Sequence, residues 1–96
     1  MTFEWDEAKN RENIAKHGVR FEDAARIFEG PVVSWTDDRE DYGEVGEISI
    51  GMVGGAAIVT VAHTDRGSTV RIISARPASR AERRRYEETL RNALEP

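Results

Sequence analysis

The chain has 96 residues and a mass of 10.8 kDa, enough for one small domain spanning residues 1–96. It has no cysteine and two histidines, His17 and His63, which excludes a disulfide staple, a thiolate nucleophile and a cysteine–zinc site. The net charge of −4 is uneven: residues 1–55 carry 13 acidic and 6 basic side chains, residues 56–96 carry 5 and 8. Nonspecific binding of nucleic acid by the whole surface is disfavoured, while a basic face built from the second half stays open. No run approaches the ~18 apolar residues of a membrane span. Met1 to Asp6 lacks the basic start and apolar stretch of a signal peptide. A soluble cytoplasmic protein without a membrane partner is expected.

Phe3-Glu4-Trp5 alternates and is compatible with a short extra edge strand at the N-terminus. Asp6 is a good N-cap and Glu7 suits a first turn, so a helix is predicted from there to Lys16-His17, stopped by Gly18. Its apolar stripe is thin (Trp5, Ala8, Ile14, Ala15), which predicts a surface helix held by Trp5. Phe21, Ala24, Ala25 and Phe28 follow helical spacing and predict a second helix over 21–29, ended by Gly30-Pro31. The two helices form a hairpin.

The middle reads as β structure. Val32–Trp35 is a short strand, followed by a charged connection from Asp37 to Gly43. Glu47–Met52 alternates, Gly54-Gly55 signals a hairpin, and Ala57–His63 is apolar enough for a central strand. Asp65-Arg66-Gly67-Ser68 is a turn, and Val70–Arg76 is a strand stopped by Pro77. Ser79 and Glu82 form a capping box for a last helix with Tyr86, Leu90 and Leu94 spaced by four. The expected fold is α+β: helical hairpin, antiparallel four-stranded sheet, C-terminal helix.

Phe3-Glu4-Trp5-Asp6, Lys9, Asn13, Lys16-His17-Gly18-Val19, Phe21 and Ala24 resemble the opening pattern of the BrnT toxin family. Val70–Arg76 followed by Arg80 and Glu82-Arg83-Arg84-Arg85-Tyr86-Glu87 resembles its closing pattern. The resemblance spans residues 3–88. It implies a RelE-like fold and a growth-arresting ribonuclease. It also implies a BrnA-like ribbon-helix-helix antitoxin, with which the toxin binds and represses its own promoter DNA. The chain departs from the pattern at Val45-Gly46-Glu47, where many relatives carry an arginine, and at Arg20, where a capping serine or threonine is common. The first departure favours an alternative function, a binding module that pairs with the antitoxin and tunes promoter binding without cleaving.

Cleaving RNA without a metal or other cofactor requires three groups: a base for the ribose 2′-OH, cations for the phosphorane and an acid for the leaving oxygen. The catalytic candidates are His17, Arg71 and Arg76, because histidine transfers protons near neutral pH and the arginine fork matches phosphate oxygens. His17 could instead complement the helix dipole. Arg71 and Arg76 are five apart and point to opposite faces of a regular strand, so a bulge is needed to bring them together. Lys9 and Lys16, with Asn13, form a stripe on the first helix. Arg66 in its turn and Arg83 in the last helix are further RNA-binding candidates. Tyr86 is another, because related nucleases use a C-terminal tyrosine, although packing on the sheet is the commoner fate of such a residue. His63 reads as a hydrogen-bonded interior histidine. The acidic stretch Asp37–Glu47 would repel RNA and could meet a basic antitoxin segment.

Overall fold

The computed structural model describes residues 1–37 and 46–94. Strand β1 (Thr2–Glu4) leads into helix α1 (Glu7–His17), helix α2 (Phe21–Ala24) and a 3₁₀ segment (Ala25–Glu29). Strands β2 (Val33–Asp37), β3 (Gly46–Val53), β4 (Ala57–Arg66) and β5 (Thr69–Pro77) follow, then helix α3 (Arg80–Leu94). The sheet order is β1-β5-β4-β3-β2. The antiparallel meander expected from the sequence is β2 to β5. The sheet as a whole is mixed and five-stranded, because β1 adds to β5 in parallel, pairing Phe3 with Val70. Most of the expected charged connection, residues 38–43, lies outside the described residues.

Local signals account for the ends of α1. Asp6 Oδ1 accepts from the Ala8 and Lys9 amides at 2.8 and 3.2 Å, and Gly18 takes φ +73° where a side chain would be strained. Helix α2 has no side-chain cap from Arg20, whose guanidinium instead pairs with Asp23 at 3.1 Å. The orphan amide of Phe21 is taken by Asn10 Oδ1 at 2.9 Å. The second half of the predicted helix over 21–29 is 3₁₀ rather than α. This tighter segment seats Ile27 directly on β3 at Gly51, where a Cβ would lie 2.6 Å from that of Ile27. Only glycine allows that approach.

One face of the sheet packs on the helical hairpin through Phe21, Ala24, Ile27, Val59, Val61, Val70, Ile72 and Ala75. Trp5 meets Phe21 edge-on, with ring centroids 6.1 Å apart. Two asparagines, Asn10 and Asn13, also attach α1 to the rest of the fold. Asn13, 6% exposed, donates to the carbonyls of Val19 and Ala75 and accepts from the Ala75 amide, at 2.9, 2.7 and 3.1 Å. It pairs with β5 as a neighbouring strand would, at an edge that β1 leaves uncovered beyond Arg71. The opposite face of the sheet carries α3. The capping box forms as predicted, with Glu82 accepting from the Ser79 amide and Ser79 Oγ accepting from the Glu82 amide. Glu82 also receives Arg76 and Thr60, Arg85 stacks on Trp35 at 4.2 Å, and the Tyr86 hydroxyl donates to the Pro31 carbonyl at 3.0 Å.

Candidate functional site

The site is set by an irregularity in β5. Ala62 pairs with Ser74 and His63 pairs with Ile72, so Ile73 has no partner on β4 and forms a bulge. Pairing on either side of it fixes the facing: Arg71 lies opposite Thr64 and Arg76 opposite Thr60. Those threonines are four apart on a regular strand, so both arginines project from the same face, the one away from the helical hairpin. Ser74, opposite Ala62, lies between them on that face, and Arg66, opposite Thr69, extends the row. Arg66 closes β4 instead of sitting in the turn expected for it.

Beside this row runs an open groove of about 250 Å³ between α1 and the bulge. It is lined by Lys9, Glu12, Asn13, Lys16, His17, Ile73 and Ser74. The structure therefore brings together three of the predicted residues, Lys9, Lys16 and His17. It sets them next to the strand that carries two others, Arg71 and Arg76. Asn13, grouped with the lysines by spacing, turns inward and holds the groove's floor. His17 is half-buried in the last turn of α1, so its position serves both the helix dipole and the groove.

The two arginines differ in their surroundings. Arg71, 38% exposed, has Glu4 at 3.8 Å, a loose contact across the β1–β5 pair. Arg76 grips Glu82 with both terminal nitrogens at 2.6 and 2.9 Å. The Arg76 bond, with help from the Ser79 amide, holds the Glu82 carboxyl down at about 2. Arg76 thus ties α3 to the sheet. Tyr86 is 2% exposed and also fixes α3. Burial pushes its phenol above its usual range. Arg83 is exposed on α3, away from the α1 groove.

A second polar group lies on the hairpin face. His63, 2% exposed, places Nδ1 2.7 Å from Asp65 Oδ1 and Nε2 2.7 Å from Ser49 Oγ, which is in turn 2.7 Å from Ser34 Oγ. Phe28 meets its ring edge-on at 5.2 Å. Glu47 lies opposite His63 in the sheet and contacts Asp65, which raises the Glu47 carboxyl above its usual range. Among the described residues, Glu47, His63 and Asp65 form a group whose ligand atoms lie within 4.8 Å of one another, a spacing that could hold a metal ion. The expectation that His63 is an interior, hydrogen-bonded histidine fits this geometry. The carboxylate cluster was not foreseen, although His63 and Asp65 at a spacing of two must share a strand face.

The sequence profile of the ribonuclease toxin BrnT, of type II toxin–antitoxin systems, matches residues 5–82. The chain belongs to the BrnT family. The crystal structure of the Brucella abortus ribonuclease toxin BrnT matches this chain with 32% identity and a TM-score of 0.63, covering 83% of this chain and 99% of that one. No curated protein matches the chain. Among the described residues, no helix is long and apolar enough to cross a membrane. The family match ends at Glu82, so most of α3 lies beyond it.

Proposed function

We propose that this BrnT-family chain is a RelE-like, metal-independent endoribonuclease of the cytoplasm that cleaves RNA in the α1–β5 groove. The observation that carries this reading is the bulge at Ile73, which turns Arg71 and Arg76 to one face beside the groove of Lys9, Lys16 and His17. His17 is the group there able to take the 2′-OH proton or return one to the leaving 5′-oxygen. Arg71 has room to move from Glu4 to the charge that builds on the phosphorane. Arg76 extends the positive field, while Lys9, Lys16 and Arg66 hold flanking phosphates. Among the described residues, Glu12 is the one carboxylate lining the groove, a poor ligand set for a divalent ion. The Glu47–His63–Asp65 group is on the other sheet face with its histidine buried, away from RNA in the groove.

Cleavage of RNA would lower translation and arrest growth. Neutralisation would come from a BrnA-like ribbon-helix-helix antitoxin that covers the groove, the pair then repressing its own promoter. A largely apolar cover of this obligate kind should survive ~1 M salt, where screening acts within about 3 Å.

A second reading is a binding module without nuclease activity. It draws on Gly46, which opens β3 opposite Asp37 and brings no cation to that strand entry. Inducible expression separates the two: growth arrest relieved by the adjacent gene supports the toxin, and normal growth at high soluble expression supports the module. RNA cleavage by the purified chain in the presence of EDTA is the direct biochemical test.

A further inference from the structure

Helix α3 presents two unlike faces. Glu82, Arg85 and Tyr86 turn to the sheet and are engaged there by Arg76, Trp35 and Pro31. At ~100° per residue, Arg80, Arg84 and Arg91 fall within about 40° of one another on the opposite side, spread over a rise of about 16 Å, with Arg83 flanking them. All four are exposed. Among the described residues none of them makes an ion pair, although Glu87 stands within one turn of Arg83 and Arg84. Arg80, Arg83, Arg84 and Glu87 line an open groove of about 400 Å³. In a protein of net charge −4, this is a concentrated positive strip on a straight, rigid element.

We infer that this outer face of α3 is a second RNA-binding surface, separate from the α1–β5 groove, which grips the sugar–phosphate backbone of a base-paired stem. The inference rests on the reading of the chain as an enzyme acting on RNA. The outer face carries no aromatic side chain, since Tyr86 is buried and Trp35 is covered by Arg85. Unpaired bases therefore find nothing to stack on, which disfavours a single strand as the occupant. Arginines in line, without base-reading amides or rings, match the regularly spaced phosphates of a helix and read shape rather than sequence. Cleavage in the α1–β5 groove needs a flexible strand, and a stem held on α3 would keep such a strand on the enzyme between encounters. Arg80 lies within the residues matched by the family profile, and Arg83, Arg84 and Arg91 follow its last matched residue.

The test is binding of the full-length chain to fluorescent, fully 2′-O-methylated RNA, which has no 2′-OH to be cleaved. Three probes are compared across salt concentrations: a hairpin, an unpaired strand of the same length, and a DNA hairpin. In the triple variant Arg80→Ala, Arg84→Ala, Arg91→Ala, RNA-hairpin affinity should fall about 30-fold and the log–log salt slope should flatten by about 2 to 3, three phosphate contacts being lost. The unpaired strand should lose less than about 3-fold. Glu87→Gln should tighten hairpin binding. Unchanged hairpin affinity and slope in a triple variant with native circular dichroism would overturn the inference. So would a DNA hairpin that binds as tightly and loses as much, since α3 would then be a general polyanion surface. Cleavage is read separately on unmodified RNA: hairpin binding through α3 without cleavage counts against the groove, and cleavage with α3 idle counts against this surface.

Discussion

Asn13 gives the sharpest test of how the groove is built. Its side chain supplies three hydrogen bonds, two of them to the backbone of Ala75, which is 0% exposed. Asn13→Ala removes all three and strands the Ala75 amide and carbonyl at the open edge of β5. At about 1 kcal/mol net for each bond, with a further penalty for stranded buried groups that water fails to reach, the loss is about 3–4 kcal/mol. That is a large part of the 5–15 kcal/mol available to a small domain. For a chain of this size it corresponds to a fall in Tm of roughly 12–32 °C. Urea titration followed by circular dichroism measures it directly. Asn13→Asp should not rescue the protein at neutral pH, because its second oxygen would face the Ala75 and Val19 carbonyls. A loss below about 1 kcal/mol for Asn13→Ala would refute the reasoning, showing that the β5 edge is satisfied by water and that Trp5 and Phe21 alone hold α1.

Other outcomes follow from the same geometry. The Glu82 carboxyl sits at about 2, below its usual 4.5, so its contribution is complete above about 4.5 and is lost as pH falls from there towards 2. With Arg76 44% exposed, that contribution is about 1–2 kcal/mol after screening. Acid titration of Trp35 fluorescence should show α3 loosening in this window, and Glu82→Gln should loosen it already at neutral pH. Gly51→Ala forces a methyl group against Ile27 and should cost about 1–3 kcal/mol in chemical denaturation. Arg76→Ala should lower both cleavage and thermal stability, which would mark it as a tie for α3 as well as part of the positive row. Any RNA cleavage should survive EDTA; loss in chelator with recovery on adding a divalent ion would remove the proposed mechanism.

Much of the fold was legible because its signals are local. Asp6 and Gly18 end α1, Gly54 and Gly55 turn a hairpin at φ +65° and +73°, and Ser79 with Glu82 starts α3. What escaped the sequence depends on contacts between distant segments. The parallel pairing of β1 with β5 needs the sheet edge to exist first. Asn10 and Asn13 look like surface residues on a polar helix until their partners, Phe21 and Ala75, are placed opposite them. The 3₁₀ ending of the second helix follows the seat that Gly51 offers to Ile27, 24 residues away in sequence. The candidate site shows the same division. His17, Lys9 and Lys16 could be placed on one helix by spacing. That Arg71 and Arg76 share a face turns on Ile73, an ordinary strand residue whose bulge no local pattern announces. The Glu47–His63–Asp65 group needed the β3–β4 register as well as the i, i+2 spacing.

The most direct test of the central claim is single-turnover cleavage of a labelled RNA by purified His17→Ala and Arg71→Ala, each checked for native stability. Neither residue is among the buried residues of the core, so folding should be spared while cleavage falls by about 10²-fold or more. Variants that fold like the parent and cleave at its rate would contradict the account and move the chemistry out of the α1–β5 groove.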